Sequence, residues 1–294
     1  MMKGRICTAT YRFLLVCTVA LIMVATPTRG DDFGMDFSVE ANKKLIDNRL
    51  TLGLGLDART QDNTSQMERY GIEVGGNYKL IDTKQHTLKA GVTFEQMWMK
   101  NLSETKDTYK TKYYSDKFNY LGNGEFGPIE KGYNVGHNYD ASFWRGRSRL
   151  NMSVAYSVKL FKRLSVTLKE TVQYNHFYQA TTERTKFRTK YRYNAAPTDT
   201  VYTVDEIKYC KNRWMLRSKL TLQYSRKRCP WEPYVAVDYG CGLGNDAWKW
   251  KFIGGTEYKI TKQHTLNVFY RYQKENDDDE PDGHIVGLGY SFKF

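Results

Sequence analysis

From Val286 to the terminal Phe294 the chain alternates strictly. Val286, Leu288, Tyr290, Phe292 and Phe294 fall on one side of an extended strand, and Gly287, Gly289, Ser291 and Lys293 fall on the other. One face is oily and aromatic, the other small or polar, which is the pattern of a barrel strand whose outside meets lipid. Composition supports that reading over a soluble globule. Mean hydropathy is −0.65 and Leu, Ile and Val are thinly spread, yet the chain carries 23 Tyr, 6 Trp and 23 Gly. A membrane barrel tolerates this, because only every second residue of a strand need be apolar.

Residues 1–30 have the form of a secretory signal peptide: Lys3, Arg5 and Arg12 precede an apolar run from Phe13 to Ala25, with small residues Thr28 and Gly30 at the cleavage region. Cys17 does not make a lipoprotein signal, because Val16 stands where a small residue is usual. The run is short for a membrane-spanning helix and no other stretch approaches that length, so residues 31–294 are expected to form one exported domain. Without the four leader cations (Lys3, Arg5, Arg12, Arg29), 41 basic residues face 32 acidic ones, a net charge near +9. In a cytosolic protein that excess would suggest nucleic acid; in an exported barrel it suits lipid phosphates outside and anions inside, and no nucleic-acid partner is expected. Cys210, Cys229 and Cys241 are an odd number of mature cysteines; Cys210 and Cys241 fall near one end of the predicted strands, where a disulfide is one reading.

Two segments nearly copy each other: Tyr78-Lys79-Leu80-Ile81-Asp82-Thr83-Lys84-Gln85-His86-Thr87-Leu88 and Tyr258-Lys259-Ile260-Thr261-Lys262-Gln263-His264-Thr265-Leu266. Looser versions run from Tyr156 to Leu164 and from Lys44 to Leu50. Each reads as strand, short polar turn, strand, and short turns belong to the periplasmic side of such barrels. Reading outward from them gives ten strands, near 49–59, 69–80, 86–98, 143–159, 164–178, 212–225, 232–240, 248–260, 264–273 and 283–294. Phe33, Met35, Phe37, Val39 and Ala41 form one more strand that breaks the even count. Either it enters through the lumen, or a further strand hides in one of the long Tyr-, Lys- and Thr-rich loops, 99–142 and 179–211. The predicted fold is all-β: a transmembrane antiparallel up-and-down barrel of 10 to 12 strands, twelve in preference to ten, with short periplasmic turns and long extracellular loops. Trp98, Trp144, Tyr178, Trp214 and Trp248 gather at strand ends as interface girdles do.

The alternating aromatics that end on Phe294, with Tyr290 and Phe292, also resemble the assembly signal of Gram-negative outer-membrane barrels, which implies the barrel-assembly machinery as a partner. The order of parts resembles the uncharacterised outer-membrane barrel family known as domain of unknown function 2490. The residues that carry the likeness are Lys43-Lys44-Leu45, Arg49-Leu50-Thr51-Leu52, the Tyr-Lys-Leu hairpins, Phe269-Tyr270-Arg271-Tyr272-Gln273 and His284-Ile285-Val286-Gly287-Leu288-Gly289-Tyr290. The resemblance implies location and fold; that family has no assigned activity, so no catalytic residue is carried across.

Where the even-numbered apolar residues face outward, their neighbours face the lumen: Arg145, Arg147, Arg149, Arg213, Arg217, Lys219, Lys249, Lys251 and Arg271, joined by the acids Asp57, Glu73, Glu95 and Asp238. Such a lumen is either an anion-favouring pore or a salt-bridged plug. The plug is the stronger expectation, because small barrels fill with side chains and in-register charges pair readily. Glu170 shares the outward face of Leu168, Val172 and Tyr174, where a carboxylate is costly; a bulge that turns it inward or protonation is the plain reading, a partner barrel or a lipid-directed acid the functional one. His176 and His284 fall on the outward face near the outer rim, as a girdle or as a base for lipid chemistry, with no serine motif beside either. His86 and His264 read as turn residues, and the acidic run Asp277–Asp282 as a solvated loop rather than a cation site. The expected role is therefore non-enzymatic, with no cofactor or metal. It is an outer-membrane barrel amid lipid and lipopolysaccharide, structural or with a narrow basic pore. An outer-leaflet lipid-modifying enzyme is the alternative, and a soluble lipocalin-like binder a third reading.

Overall fold

A computed structural model describes residues 32–122, 125–192, 195–226, 229–244, 246–276 and 282–294. The segment expected to be a signal peptide, 1–30, and most of the acidic run, 277–281, lie outside the described residues. Among the described residues there are fifteen strands: β1 Asp32–Leu45, β2 Leu50–Gln61, β3 Gln66–Asp82, β4 His86–Asn101, β5 Glu104–Gly122, β6 Glu125–Asp140, β7 Phe143–Leu160, β8 Leu164–Phe177, β9 Ala180–Arg192, β10 Ala195–Lys208, β11 Arg213–Tyr224, β12 Trp231–Leu243, β13 Trp248–Lys259, β14 His264–Glu275 and β15 Gly283–Lys293. Eleven of them close into a barrel in the order β1-β15-β14-β13-β12-β11-β8-β7-β4-β3-β2. The other four form a separate sheet, β10-β9-β6-β5, and the chain divides into two compact units along the same line.

The ten predicted barrel strands are all present, and the count is eleven, within the expected range but neither ten nor twelve. The reason is β1. It pairs antiparallel with β2 and parallel with β15, from Asp32↔Gly283 to Asn42↔Lys293. A parallel seam lets an odd number of strands close, so no hidden strand is needed and β1 does not thread the lumen. The segments expected as loops, 99–142 and 179–211, hold β5, β6, β9 and β10, which pair with one another rather than enlarging the barrel.

At one end the barrel strands are joined by tight turns. In the turn after β1, Asp47 and Asn48 take left-handed φ angles of 50° and 67°, which Asp and Asn tolerate. The duplicated hairpins fold alike. The Thr83 hydroxyl donates to the His86 carbonyl (3.0 Å) and accepts from the His86 N–H (2.9 Å), and Thr261 accepts from the His264 N–H (3.0 Å). In both, the histidine ring then reaches a tyrosine hydroxyl on the neighbouring strand: His86 to Tyr156 (2.8 Å) and His264 to Tyr290 (2.5 Å). Beside the first turn, the exposed Asp82 carboxylate takes a hydrogen bond from Lys79 that holds it below the usual carboxylate range.

The alternation resolves into an inverted molecule. Outward side chains are apolar and exposed (Leu54 52%, Val74 52%, Val92 52%, Leu288 43%), whereas the buried interior is charged and polar (Arg59 and Gln273 0%, Asp238 4%, Glu95 6%). Water-soluble folds do the reverse. Aromatics stack across strands near both ends of the barrel: Tyr70 on Trp98, Tyr174 on Trp214 and Tyr239 on Trp250 at one, Trp231 on Tyr258 and His264 on Phe292 at the turn end.

The second unit is held by its own charges. Asp140 on β6 accepts from Arg184 on β9 (2.6 and 2.9 Å) and from Lys208 on β10 (2.5 Å). The Arg184 hydrogen bonds hold the Asp140 carboxyl well below its ordinary range, against the opposing push of burial, with Lys208 adding to the effect. The same contact raises Arg184.

Candidate functional site

The lumen is the place where the sequence concentrates chemistry. Its end opposite the tight turns is filled by two ion-pair networks. In the first, Arg59 reaches Asp36 (3.1 Å) and Glu68 (3.3 Å), Arg271 reaches the same Asp36 oxygen (2.8 Å), and Arg69 reaches Asp57 (3.2 Å). In the second, Arg149 binds Glu95 (2.9 Å) and the Asn175 side-chain oxygen (3.2 Å), and Arg217 binds Asp238 and the Gln173 side-chain oxygen (3.2 Å). Lys249 binds Glu275 (2.7 Å), and Arg147 packs its Nε on the Met97 sulfur (3.0 Å).

Six of the predicted lumen residues, Arg147, Arg149, Arg213, Arg217, Lys249 and Lys251, line one cavity of about 40 Å³. That is room for a few waters or one small ion. Arg271 belongs to the first network instead, over the ring of Phe269 at 5.6 Å. Lys219 lies further toward the turn end, in register with Lys169 on one side and Asp238 on the other. Glu73 stands beside Glu95 in register. Arg145 belongs to the second unit, its guanidinium over the Phe143 ring at 5.4 Å. Asp36, Arg59 and Arg69 are members that the sequence reading left out, although the alternation through Asp57 and Arg59 places them on the same face.

Toward the turn end the lumen opens into a cavity of about 550 Å³. Lys44, Lys79, Lys89 and Lys293 line it, with Glu40 and Glu257.

The outward face corrects two expectations. Glu170 does not turn inward: both ladders run through it without a bulge, and its carboxylate accepts a hydrogen bond from the Ser218 hydroxyl at 2.6 Å, also on the outward face. His176 does have a serine beside it in space, since Ser148 on β7 is its register partner. The Ser148 hydroxyl is directed to the Gln96 side-chain oxygen (2.5 Å). His284 is buried against Tyr270 and Tyr272, with its Nδ1 on the Tyr270 hydroxyl at 2.5 Å. Of the residues expected to form a C-terminal assembly signal, Tyr290 and Phe292 pack on His264, and Phe294 stands edge-on to Phe292 with its N–H on the Asn42 carbonyl (2.9 Å). Cys241 is a free thiol, so no bridge joins it to Cys210. Among the described residues no cluster of His, Cys, Asp or Glu could hold a metal ion.

No family model matches the chain, and no curated protein matches it.

Proposed function

We propose that the chain is an exported outer-membrane β-barrel that acts without catalysis, as a structural barrel whose basic lumen is closed by its own ion pairs. One observation carries the reading: the closed barrel exposes an apolar band and buries arginines, a distribution stable only where the surroundings are oil and the buried guanidiniums have partners. The aromatic pairs near both ends suit the two interfaces of a membrane, and the resemblance to the domain of unknown function 2490 belongs to the same proposal. The fully buried Arg59, Met97, Asn175 and Gln273 support closure over conduction.

The test has two parts. Detergent-extracted protein migrates faster unheated than boiled, as closed membrane barrels do, whereas a lipocalin-like binder folds without detergent. In planar bilayers the protein carries little or no current; a steady anion-selective conductance would replace the closed barrel with a narrow pore.

A second reading has one observation behind it, the register of Ser148 opposite His176 on the outward face. A serine and a histidine so placed could cleave an ester of an outer-leaflet lipid, the imidazole taking the hydroxyl proton. Lipid turnover by purified protein, lost in both Ser148→Ala and His176→Ala, would promote it; no turnover removes it.

A further inference from the structure

Four lysines converge on the open half of the lumen. Lys293 on β15, Lys44 on β1, Lys79 on β3 and Lys89 on β4 all line the 550 Å³ cavity, and they come from one arc of the wall, β15-β1-β2-β3-β4. Lys79 and Lys89 are direct cross-strand partners, an arrangement of like charges that costs stability unless something negative lies between them. Lys79 has Asp82 at 2.7 Å. Among the described residues Lys44, Lys89 and Lys293 make no ion pair. In the closed half, by contrast, Arg59, Arg69, Arg149, Arg217, Lys249 and Arg271 each reach a carboxylate. Glu40 and Glu257 also line the cavity, and Glu257 accepts a hydrogen bond from Gln223 (3.4 Å). Lysine outnumbers carboxylate four to two on the wall.

The rest of the lining consists of hydroxyls and amides: Ser38, Asn42, Thr51, Asn267 and Ser291 among them. A cavity of this volume is the size of a small-molecule site. Lysines act as mobile point charges suited to phosphate, and the neutral polar groups suit a ring of hydroxyls. We propose that this vestibule binds a small hydroxylated anion of the sugar-phosphate class. The site is reached from the turn end and needs no passage through the closed half.

The experiment uses the full mature chain in detergent micelles and glucose 6-phosphate as the probe, with glucose and inorganic phosphate beside it, read by titration calorimetry. Glucose 6-phosphate is expected to bind saturably, inorganic phosphate more weakly, and glucose not at all. Combined Lys89→Met and Lys293→Met should weaken binding by about tenfold or more, since each removes a charge from a partly desolvated site. Lys89→Arg with Lys293→Arg should retain it. Lys84→Met with Lys262→Met, the same charge removed from turns outside the cavity, should leave it unchanged. Heat-modifiable migration verifies that each variant is folded. Absence of saturable binding, persistence of binding in the Met pair, or equal loss in the turn pair would each overturn the assignment. The site rests on the barrel reading, but binding is read without a membrane or a current, so absence of binding in protein that still shows heat-modifiable migration removes this assignment and leaves the barrel reading standing.

Discussion

Asp36 and Arg59 face each other in register across β1 and β2, carboxylate and guanidinium 3.1 Å apart, and Arg59 has no exposed surface at all. The same Asp36 oxygen also receives Arg271 from β14, 235 residues further along the chain. One carboxylate thus ties the first strand to strands on both sides of the parallel seam. Removing it leaves two buried guanidiniums sharing what remains, chiefly Glu68 on Arg59. Breaking a buried ion pair from one side costs about 3–5 kcal/mol. Asp36→Ala should therefore lower the temperature at which the unheated gel form is lost, and Asp36→Asn, which keeps one acceptor, should lower it less. An unchanged midpoint in Asp36→Ala would show that the seam does not depend on this network.

Phe269 supplies the only large inward apolar side chain of β14, and it lies over Gly287 on β15. A Cβ built on Gly287 would meet the ring at 2.0 Å. The glycine is there to let the ring lie flat on the wall, beneath the Arg271 guanidinium. Gly287→Val should push the ring into the lumen and destabilise the barrel by about 1–3 kcal/mol, as overpacking does. Adding Phe269→Ala to Gly287→Val should recover part of that loss, measured by urea unfolding in micelles; additive losses would mean that the two do not share one space.

Much of this was legible in advance. Ten barrel strands follow from strict alternation, because a wall with an apolar outer face and a charged inner one imposes a period of two on every strand. The parallel partner of β1 was not legible, since Phe33–Ala41 alternates the same way whichever neighbour it takes. Nor were β5, β6, β9 and β10: segments such as Thr181–Lys186 carry charge and hydroxyl on both faces, so they lack the oily side that marks a barrel strand. Within the lumen, parity puts Arg149 and Arg217 on one face, and both line the small cavity, but partner choice depends on register between distant strands. The Ser148–His176 juxtaposition and the Asp36–Arg271 contact both come from that register, and no local pattern encodes it.

Glu170 stands at mid-strand on the outward face with one donor, Ser218, at 2.6 Å. A carboxylate at the bilayer midplane is unfavourable, though less than the ~2–4 kcal/mol of a cation there. Glu170→Leu should accordingly stabilise the barrel in lipid vesicles by about 1–2 kcal/mol, while Ser218→Ala, which removes the donor and leaves the acid, should destabilise it. The midpoint of thermal unfolding in vesicles reads both. A loss of stability in Glu170→Leu would mean that the carboxylate is held by a membrane partner and not tolerated as a burden.

Asp140 gives the second unit a dependence on acidity. Its carboxyl is held below the ordinary range by Arg184, with Lys208 assisting, so the folded sheet binds this proton less readily than the unfolded chain. The sign follows from that difference: the contribution is complete above the unfolded carboxylate pKa of about 4 and is lost progressively as pH falls toward the depressed folded value. Amide exchange in Thr182–Phe187, paired to β6 and β10, should thus accelerate below about pH 4. Asp140→Asn should exchange faster at neutral pH and lose most of this acid step, because the amide carries no proton to gain. The urea midpoint of Arg184→Met at pH 7 should fall alongside it, since that change leaves Asp140, 3% exposed, with Lys208 as its remaining cation. A pH profile identical in wild type and Asp140→Asn would assign the acid sensitivity to other carboxylates of the sheet.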